Sequence, residues 1–398
     1  MSVEQIGIVG AGTMGTGIAL ISCLGGYSTL IHDPDEAVLV ESQVKVGEAL
    51  ADGEGEHWDD EDAEAASELL LPAETIADLA ACDLVIEAAP EDLALKRGIF
   101  AELAATCRED AILATNTSSL RVSDIGAGIA HLERVVGMHF FNPPARMKLV
   151  EVVSTDLSSQ AALRATAEVA EEMGRTPIRA KDSPGFLANR LARPFSLESL
   201  RMLADEVAGP ETIDRICRIG GGFRMGPFEL LDLIGLDVNL SVARSFYEQG
   251  GKPERWRPSP IQERMVAEGR LGRKSGHGFY RYQGGRHREA DPELDVRAPT
   301  LDEEELGRID PAGAQVLPRL VAQIANEAAF ALEAEVGSPT DVNTAMRLGF
   351  NWPLGPLELT GLIGAGQAVS LLSDLQGRLG DAYAPAPRLL AAAAEEGG

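Results

Sequence analysis

Short apolar runs punctuate the first half of the chain: "QIGIV" from Gln5, "STLIH" up to His32, then "CDLVIEAAPE" (82–91), "AILATN" (111–116), "RVVGMHF" (134–140), "LVEVV" (149–153) and "TPIRA" (176–180). Stretches rich in Ala, Leu and Glu lie between several of them. This alternation predicts parallel strands with helices packed on both faces, a doubly wound α/β sheet over residues 1–182. After "KDSPGF" (181–186) the strand signals cease. Pro184 and Gly185 mark the break, and "LANRLARPFSLESLRMLADE" opens an all-helical part. Residues 283–315 are polar, charged and proline-bearing, which predicts a linker.

The helical part repeats itself. "RMGPFELLDLIG" (224–235) matches "PLGPLELTGLIG" (353–364) at a shift of 129 residues, and at that shift Pro210 faces Pro339, Arg218 faces Arg347, Gly220 faces Gly349, Glu198 faces Glu327 and Arg190 faces Arg319. The expected organisation is a sheet domain (1–182), helical copy 1 (183–282), the linker (283–315) and a degenerate copy 2 (316–398). Asn189 meets Pro318, expected at the first turn of a helix, which has neither a side-chain amide nor a backbone N–H. Any chemistry done by Asn189 is therefore not repeated in the second copy.

The amino-terminal run carries the sharpest chemical signal. Strand, Gly10-Ala11-Gly12-Thr13-Met14-Gly15, helix, strand and Asp33 follow one another in order. Gly10 permits the tight turn, Gly12 lets the backbone approach a pyrophosphate, and Gly15 lets the helix pack on the sheet. The helix amino terminus offers unpaired N–H groups to phosphate. Asp33 can accept from a ribose 2′-hydroxyl and would repel a 2′-phosphate, so NAD is expected over NADP. The fold class is thus a Rossmann-type doubly wound sheet followed by two copies of an all-α domain. In such sheets ligands bind beyond the carboxyl ends of the strands, where Glu91, Asn116, Ser118 and His139 are expected. Each alone is more often a turn former or helix cap than a catalyst. His139 stands at the end of an apolar strand, just before Asn-Pro-Pro, and Glu151 interrupts the next apolar run. A carboxylate there is costly to bury unless it is paired, and a nearby imidazole is one group that could pair it.

Composition narrows the partners. The net charge is −27, with 29 arginines against 6 lysines, a field that repels nucleic acid and anionic membrane surfaces. Cys23, Cys82, Cys107 and Cys217 stand singly, with no Cys-x-x-Cys and no histidine spacing that suits zinc, so no metal site is expected. A reducing cytoplasm is the expected compartment, since no secretory signal or transmembrane-length run stands out.

With "GAGTMG", "IEAAPEDLALK", "TNTSSL", "GMHFFNPP", "LVEVV", "DSPGFLANR" and "GRKSGHGFY" in this order, the sequence resembles the 3-hydroxyacyl-CoA dehydrogenase family, and most of all its bacterial 3-hydroxybutyryl-CoA members. The resemblance implies NAD-dependent oxidation of a short (S)-3-hydroxyacyl-CoA substrate to the 3-oxo thioester. It implies His139 as general base, Glu151 as the group that orients it, Ser118 and Asn189 as substrate contacts, and cofactor contacts at Asp33, Glu91, Lys96, Asn116, Asn142 and Lys274 beside the glycine loop. In single-copy relatives the helical domain resembles a dimerisation unit. That implies intramolecular pairing of the two copies, with a homo-oligomer still open.

Three departures stand out. Ala49 and Glu56 fall where relatives commonly offer serine and lysine to coenzyme A, and the stretch 51–64 carries eight acids and no base. Arg146 stands where relatives usually have a small or apolar residue; it could serve an acidic acyl chain or a phosphate, or pair with a local carboxylate. Two alternatives remain beside the acyl-CoA reading: a gulonate-type dehydrogenase of a free hydroxy acid or sugar acid, and a nonenzymatic, crystallin-like NAD-binding protein.

Overall fold

The structure is a computed structural model that describes residues 2–52, 60–283, 286–287 and 299–397. The chain divides into two compact units, Met1–Phe186 and Leu187–Gly398. Glu56 lies outside the described residues, with the rest of 53–59 in the acidic stretch.

In the first unit the strands are β1 (Gln5–Val9), β2 (Ser28–His32), β3 (Leu70–Pro72), β4 (Leu84–Glu87), β5 (Ile112–Thr115), β6 (Val135–Phe140), β7 (Leu149–Ser154) and β8 (Thr176–Lys181). They form one sheet in the order β3-β2-β1-β4-β5-β6-β7-β8. The helices are α1 (Thr13–Leu24), α2 (Glu36–Ala51), α3 (Asp60–Ser67), α4 (Leu93–Thr106), α5 (Val122–Ile125) and α6 (Gln160–Glu172). Ile6, Ile8, Ile31, Leu84, Ile86, Met138 and Val152 all enter one buried core with α1 residues such as Ile18 and Ile21.

Neighbouring strands from β3 across to β6 pair in parallel, so the carboxyl ends of β1, β2, β4, β5 and β6 share one edge. The order over these six strands reverses direction at β1 and β4, the crevice where such sheets receive dinucleotides. The apolar runs predict parallel strands throughout, and here the fold differs: β7 runs antiparallel to β6, and β8 follows β7 in parallel. The connection 141–148 is too short for the crossover of a dozen or more residues that a parallel neighbour needs. The hairpin sets His139 directly opposite Glu151. β3 is an additional strand; three residues ending in proline, at the sheet edge, leave little pattern to read.

The second unit is helical: α7 (Ala188–Ala204), α8 (Pro210–Ile219), α9 (Pro227–Ile234), α10 (Leu236–Gln249), α11 (Pro260–Ala267), α12 (Glu303–Ile309), α13 (Gly313–Glu333), α14 (Pro339–Gly349), α15 (Pro356–Ile363), α16 (Ala365–Leu379) and α17 (Pro387–Glu396). α8, α9 and α10 start 129 residues before α14, α15 and α16, so the repeat in sequence is a repeat in structure. α7 packs against α13. Arg190 of α7 donates to Glu327 of α13 at 2.7 Å, and Arg319 of α13 donates to Glu198 of α7 at 2.5 Å. Each copy gives its arginine to the other's glutamate, the reciprocity of a twofold relation. Trp256 Nε1 adds a bond to Glu327 and the Tyr383 hydroxyl one to Glu198.

Two expectations change in this unit. The stretch 283–315 is not all linker: α12 lies within it, Leu306 is fully buried, and Thr300 N–H bonds the carbonyl of Gly220. One buried leucine among acids is too weak a pattern to announce a seven-residue helix. Pro318 is not in a first turn either, because α13 begins at Gly313 and runs through it. Among the described residues no helix is long and apolar enough to cross a membrane.

Candidate active site

The glycine loop is built by contacts that only glycine allows. Gly10 has φ of 102°, and a Cβ there would lie 2.8 Å from the Ala88 backbone; at Gly15 it would lie 1.7 Å from the Gly10 carbonyl oxygen. At Gly12 it would meet no protein atom within 4 Å, so the space over that backbone is open. Gly12 caps α1 without a side-chain hydrogen bond, and no acidic residue occupies the first turn, where Thr13 and Met14 stand. Open backbone and positive dipole end together fit a pyrophosphate. Asp33, just past β2, accepts from Ala11 N–H at 2.9 Å, which holds its carboxylate beside the loop.

Next along the edge, Glu91 organises the turn after β5. Its Oε1 accepts from the Thr117 hydroxyl (2.6 Å), the Ser118 and Ser119 N–H groups, and the Ser119 hydroxyl. Burial works to raise its pKa, but Thr117, Lys96 and Ser119 outweigh it and hold the carboxyl below its ordinary value. Ser118 itself is exposed. Asn116 Oδ1 accepts from Phe140 N–H at 2.8 Å, tying the end of β5 to the end of β6.

Lys96 lies in α4 with 1% of its side chain exposed. Its ammonium is 2.7 Å from Glu87, 3.0 Å from the Ala89 carbonyl and 3.4 Å from Glu91. Two hydrogen bonds and the ion pair with Glu91 hold the ammonium within the protein, and Lys96 braces the turn that carries Glu91. Glu87 is the residue missed in the sequence. It is fully buried and also accepts from the Thr115 hydroxyl (2.7 Å) and Ala89 N–H (2.7 Å). The signal for it was the one that marks Glu151, a carboxylate inside an apolar strand.

His139 and Glu151 meet. Nδ1 and Oε2 are 2.7 Å apart, with His139 5% exposed and Glu151 wholly buried. A carboxylate can only accept, so Nδ1 carries the hydrogen, and in the neutral ring Nε2 then keeps the lone pair. Phe141 and Phe186 pack on the imidazole at 4.7 and 5.8 Å between ring centroids and restrict its rotation. Asn142 is exposed in the turn after β6, with Arg146 also exposed four residues on. Pro144 of this turn sits so close to α1 that a Cβ at Gly17 would come within 2.9 Å of it.

Asn189 and Lys274 belong to the second unit. Asn189 is the second residue of α7. Lys274 pairs with Asp237 at 2.6 Å, and its segment is tied down by Asp232, which accepts from Phe279 and Tyr280 N–H and from the Tyr282 hydroxyl. The second copy has Gly361 in place of Asp232.

A family model described as "3-hydroxyacyl-CoA dehydrogenase, NAD binding domain" matches residues 5–183, and one described as "3-hydroxyacyl-CoA dehydrogenase, C-terminal domain" matches 185–282 and again 316–398. The chain is 34% identical to the 3-hydroxyadipyl-CoA dehydrogenase of Escherichia coli K12, over 96% of this chain and 95% of that protein. It is 35% identical to the mitochondrial hydroxyacyl-coenzyme A dehydrogenase of Sus scrofa, over 71% and 92%. Among solved structures, a 3-hydroxybutyryl-CoA dehydrogenase from Escherichia coli K12 superposes with a TM-score of 0.89 at 34% identity, covering 100% of both chains. The (S)-3-hydroxybutyryl-CoA dehydrogenase of Ralstonia eutropha reaches 0.68 at 36% identity, covering 71% of this chain and 100% of its own.

Proposed function

We propose that this chain, which belongs to the 3-hydroxyacyl-CoA dehydrogenase family, oxidises the 3-hydroxyl of a short (S)-3-hydroxyacyl-CoA with His139 as general base. Membership in the family makes it an NAD-dependent oxidoreductase. The observation that carries the base assignment is the buried His139–Glu151 pair at the sheet edge that also bears the glycine loop. Nε2 takes the hydroxyl proton, and Glu151, bonded to the other nitrogen, stabilises the imidazolium that forms. Ser118 and Asn189 hold the substrate oxygen by hydrogen bonds. NAD, when bound, supplies the hydride acceptor. The glycine loop, Asp33, Glu91, Asn116, Asn142 and Lys274 hold it, with Lys96 acting through the turn it braces. The two helical copies serve as an intramolecular pseudo-dimer, 183–282 against 316–398, supported by the reciprocal Arg–Glu bonds.

The test is NADH formation from 3-hydroxybutyryl-CoA and 3-hydroxyadipyl-CoA, with the free acids as controls. Turnover of a free acid without the thioester would overturn the acyl-CoA reading. The same assay with NADP should run about a hundredfold less efficiently, since a 2′-phosphate against Asp33 is a like-charge contact of about 3 kcal/mol. Equal efficiency with both cofactors would remove Asp33 from the ribose site.

Glu151→Gln should lower kcat by about 10- to 100-fold, the usual worth of a partner that orients a functional histidine. A kcat equal to the parent's would leave Glu151 a packing residue.

A further inference from the structure

Arg193 is a buried charge that the proposed reaction does not use. It lies in α7 and is 7% exposed; its Nε and Nη1 have no hydrogen-bond partner among the described residues. Burial pushes its pKa down to about 10, with no carboxylate acting to raise it, so the guanidinium is still charged at neutral pH. The Phe246 ring, 5.4 Å from Cζ, offers only a cation–π contact. That contact returns less than burying an ion costs. A cation held this way lacks its anion.

The internal repeat separates packing residues from the rest. Arg190 and Glu198 recur as Arg319 and Glu327 and bond across the pseudo-twofold. Asn189 and Arg193 do not recur: the second copy has Pro318 and Ala322 at those positions. The two polar residues are thus confined to the same copy, four apart on one face of α7.

We propose that Arg193 receives a carboxylate at the far end of the acyl chain, making the preferred substrate a 3-hydroxyacyl-CoA that ends in a second acid group. This rests on the reading above that Asn189 holds the substrate's 3-oxygen. Four helical residues rise about 6 Å. In a six-carbon diacid three bonds of about 1.5 Å separate carbon 3 from the terminal carboxyl carbon, and a charge-assisted hydrogen bond spans the rest. A four-carbon chain ending in a methyl group leaves the guanidinium without a partner.

The experiment measures kcat/KM for 3-hydroxyadipyl-CoA and 3-hydroxybutyryl-CoA in the full chain and in Arg193→Met and Arg193→Lys. The parent should favour the diacid. Arg193→Met should lower the diacid-to-monoacid ratio by about 10- to 100-fold, mostly through KM, the worth of a hydrogen bond between charged groups. Arg193→Lys, which keeps the charge but loses the planar fork, should fall between. If Arg193→Met does not fold, the Arg193→Lys ratio decides. A parent without diacid preference, or a ratio unchanged in the variant that folds, overturns the role of Arg193 while leaving the dehydrogenase reading in place. A parent that binds NAD yet forms no NADH from either thioester overturns the dehydrogenase reading and the role of Arg193 with it.

Discussion

Replacing His139 with glutamine should lower kcat by about 10²- to 10⁴-fold, the usual contribution of a positioned general base. NADH affinity should stay near that of the parent, because the glycine loop and Asp33 are untouched. Glutamine is the informative choice. Its amide N–H can still donate to Glu151, which is wholly buried and so keeps a hydrogen bond from this position. A loss of activity then reports the missing proton acceptor rather than a collapsed strand pair. Stopped-flow measurement of the NADH absorbance change isolates hydride transfer from product release. A variant that keeps more than about a tenth of the parental rate would take His139 out of the proton-transfer step.

Glu327→Leu should destabilise the protein by about 3 to 5 kcal/mol, the typical effect of removing one partner from a buried ion pair. Glu327 is 2% exposed and accepts from Arg190 at 2.7 Å, from Arg255 at 2.9 Å and from Trp256 at 3.0 Å. Arg190, itself buried, would keep its charge and lose its acceptor. The double variant Arg190→Met with Glu327→Leu should recover part of the loss, since an apolar pair of similar volume avoids the desolvation cost altogether. Thermal unfolding followed by circular dichroism reads the difference. Because α7 carries both Arg190 and Asn189, partial loss of substrate affinity should accompany the destabilisation while NAD binding persists. A melting temperature equal to the parent's would show that the reciprocal bonds add nothing to the pairing of the copies.

The glycine loop, Asp33 and the helical repeat were legible in the sequence because each is local. Gly10 must take a positive φ and Gly15 must admit the Gly10 carbonyl, so no other residue type fits, whatever the rest of the chain does. The repeat is legible for a related reason: "GPFELLDLIG" and "GPLELTGLIG" start their helices identically, with a glycine cap, a proline in the first turn and a glutamate that accepts from the cap N–H, although the two helices then bury different positions. Tertiary structure decided the rest. Glu87, Thr115, Lys96 and Glu91 form one network only because β4 and β5 are adjacent and α4 folds over them.

The reversal of β7 is likewise a matter of three dimensions. An apolar run carries no direction, and only the short 141–148 turn forces the chain back on itself. His139 and Glu151, twelve residues apart in the chain, become neighbours through that register. Arg193 is the opposite case. In sequence it is one arginine among 29, and nothing in its neighbourhood sets it apart. Burial sets it apart, because a charge becomes costly only where water and counter-charge are both removed, and that is settled by how α7 packs rather than by the order of its residues.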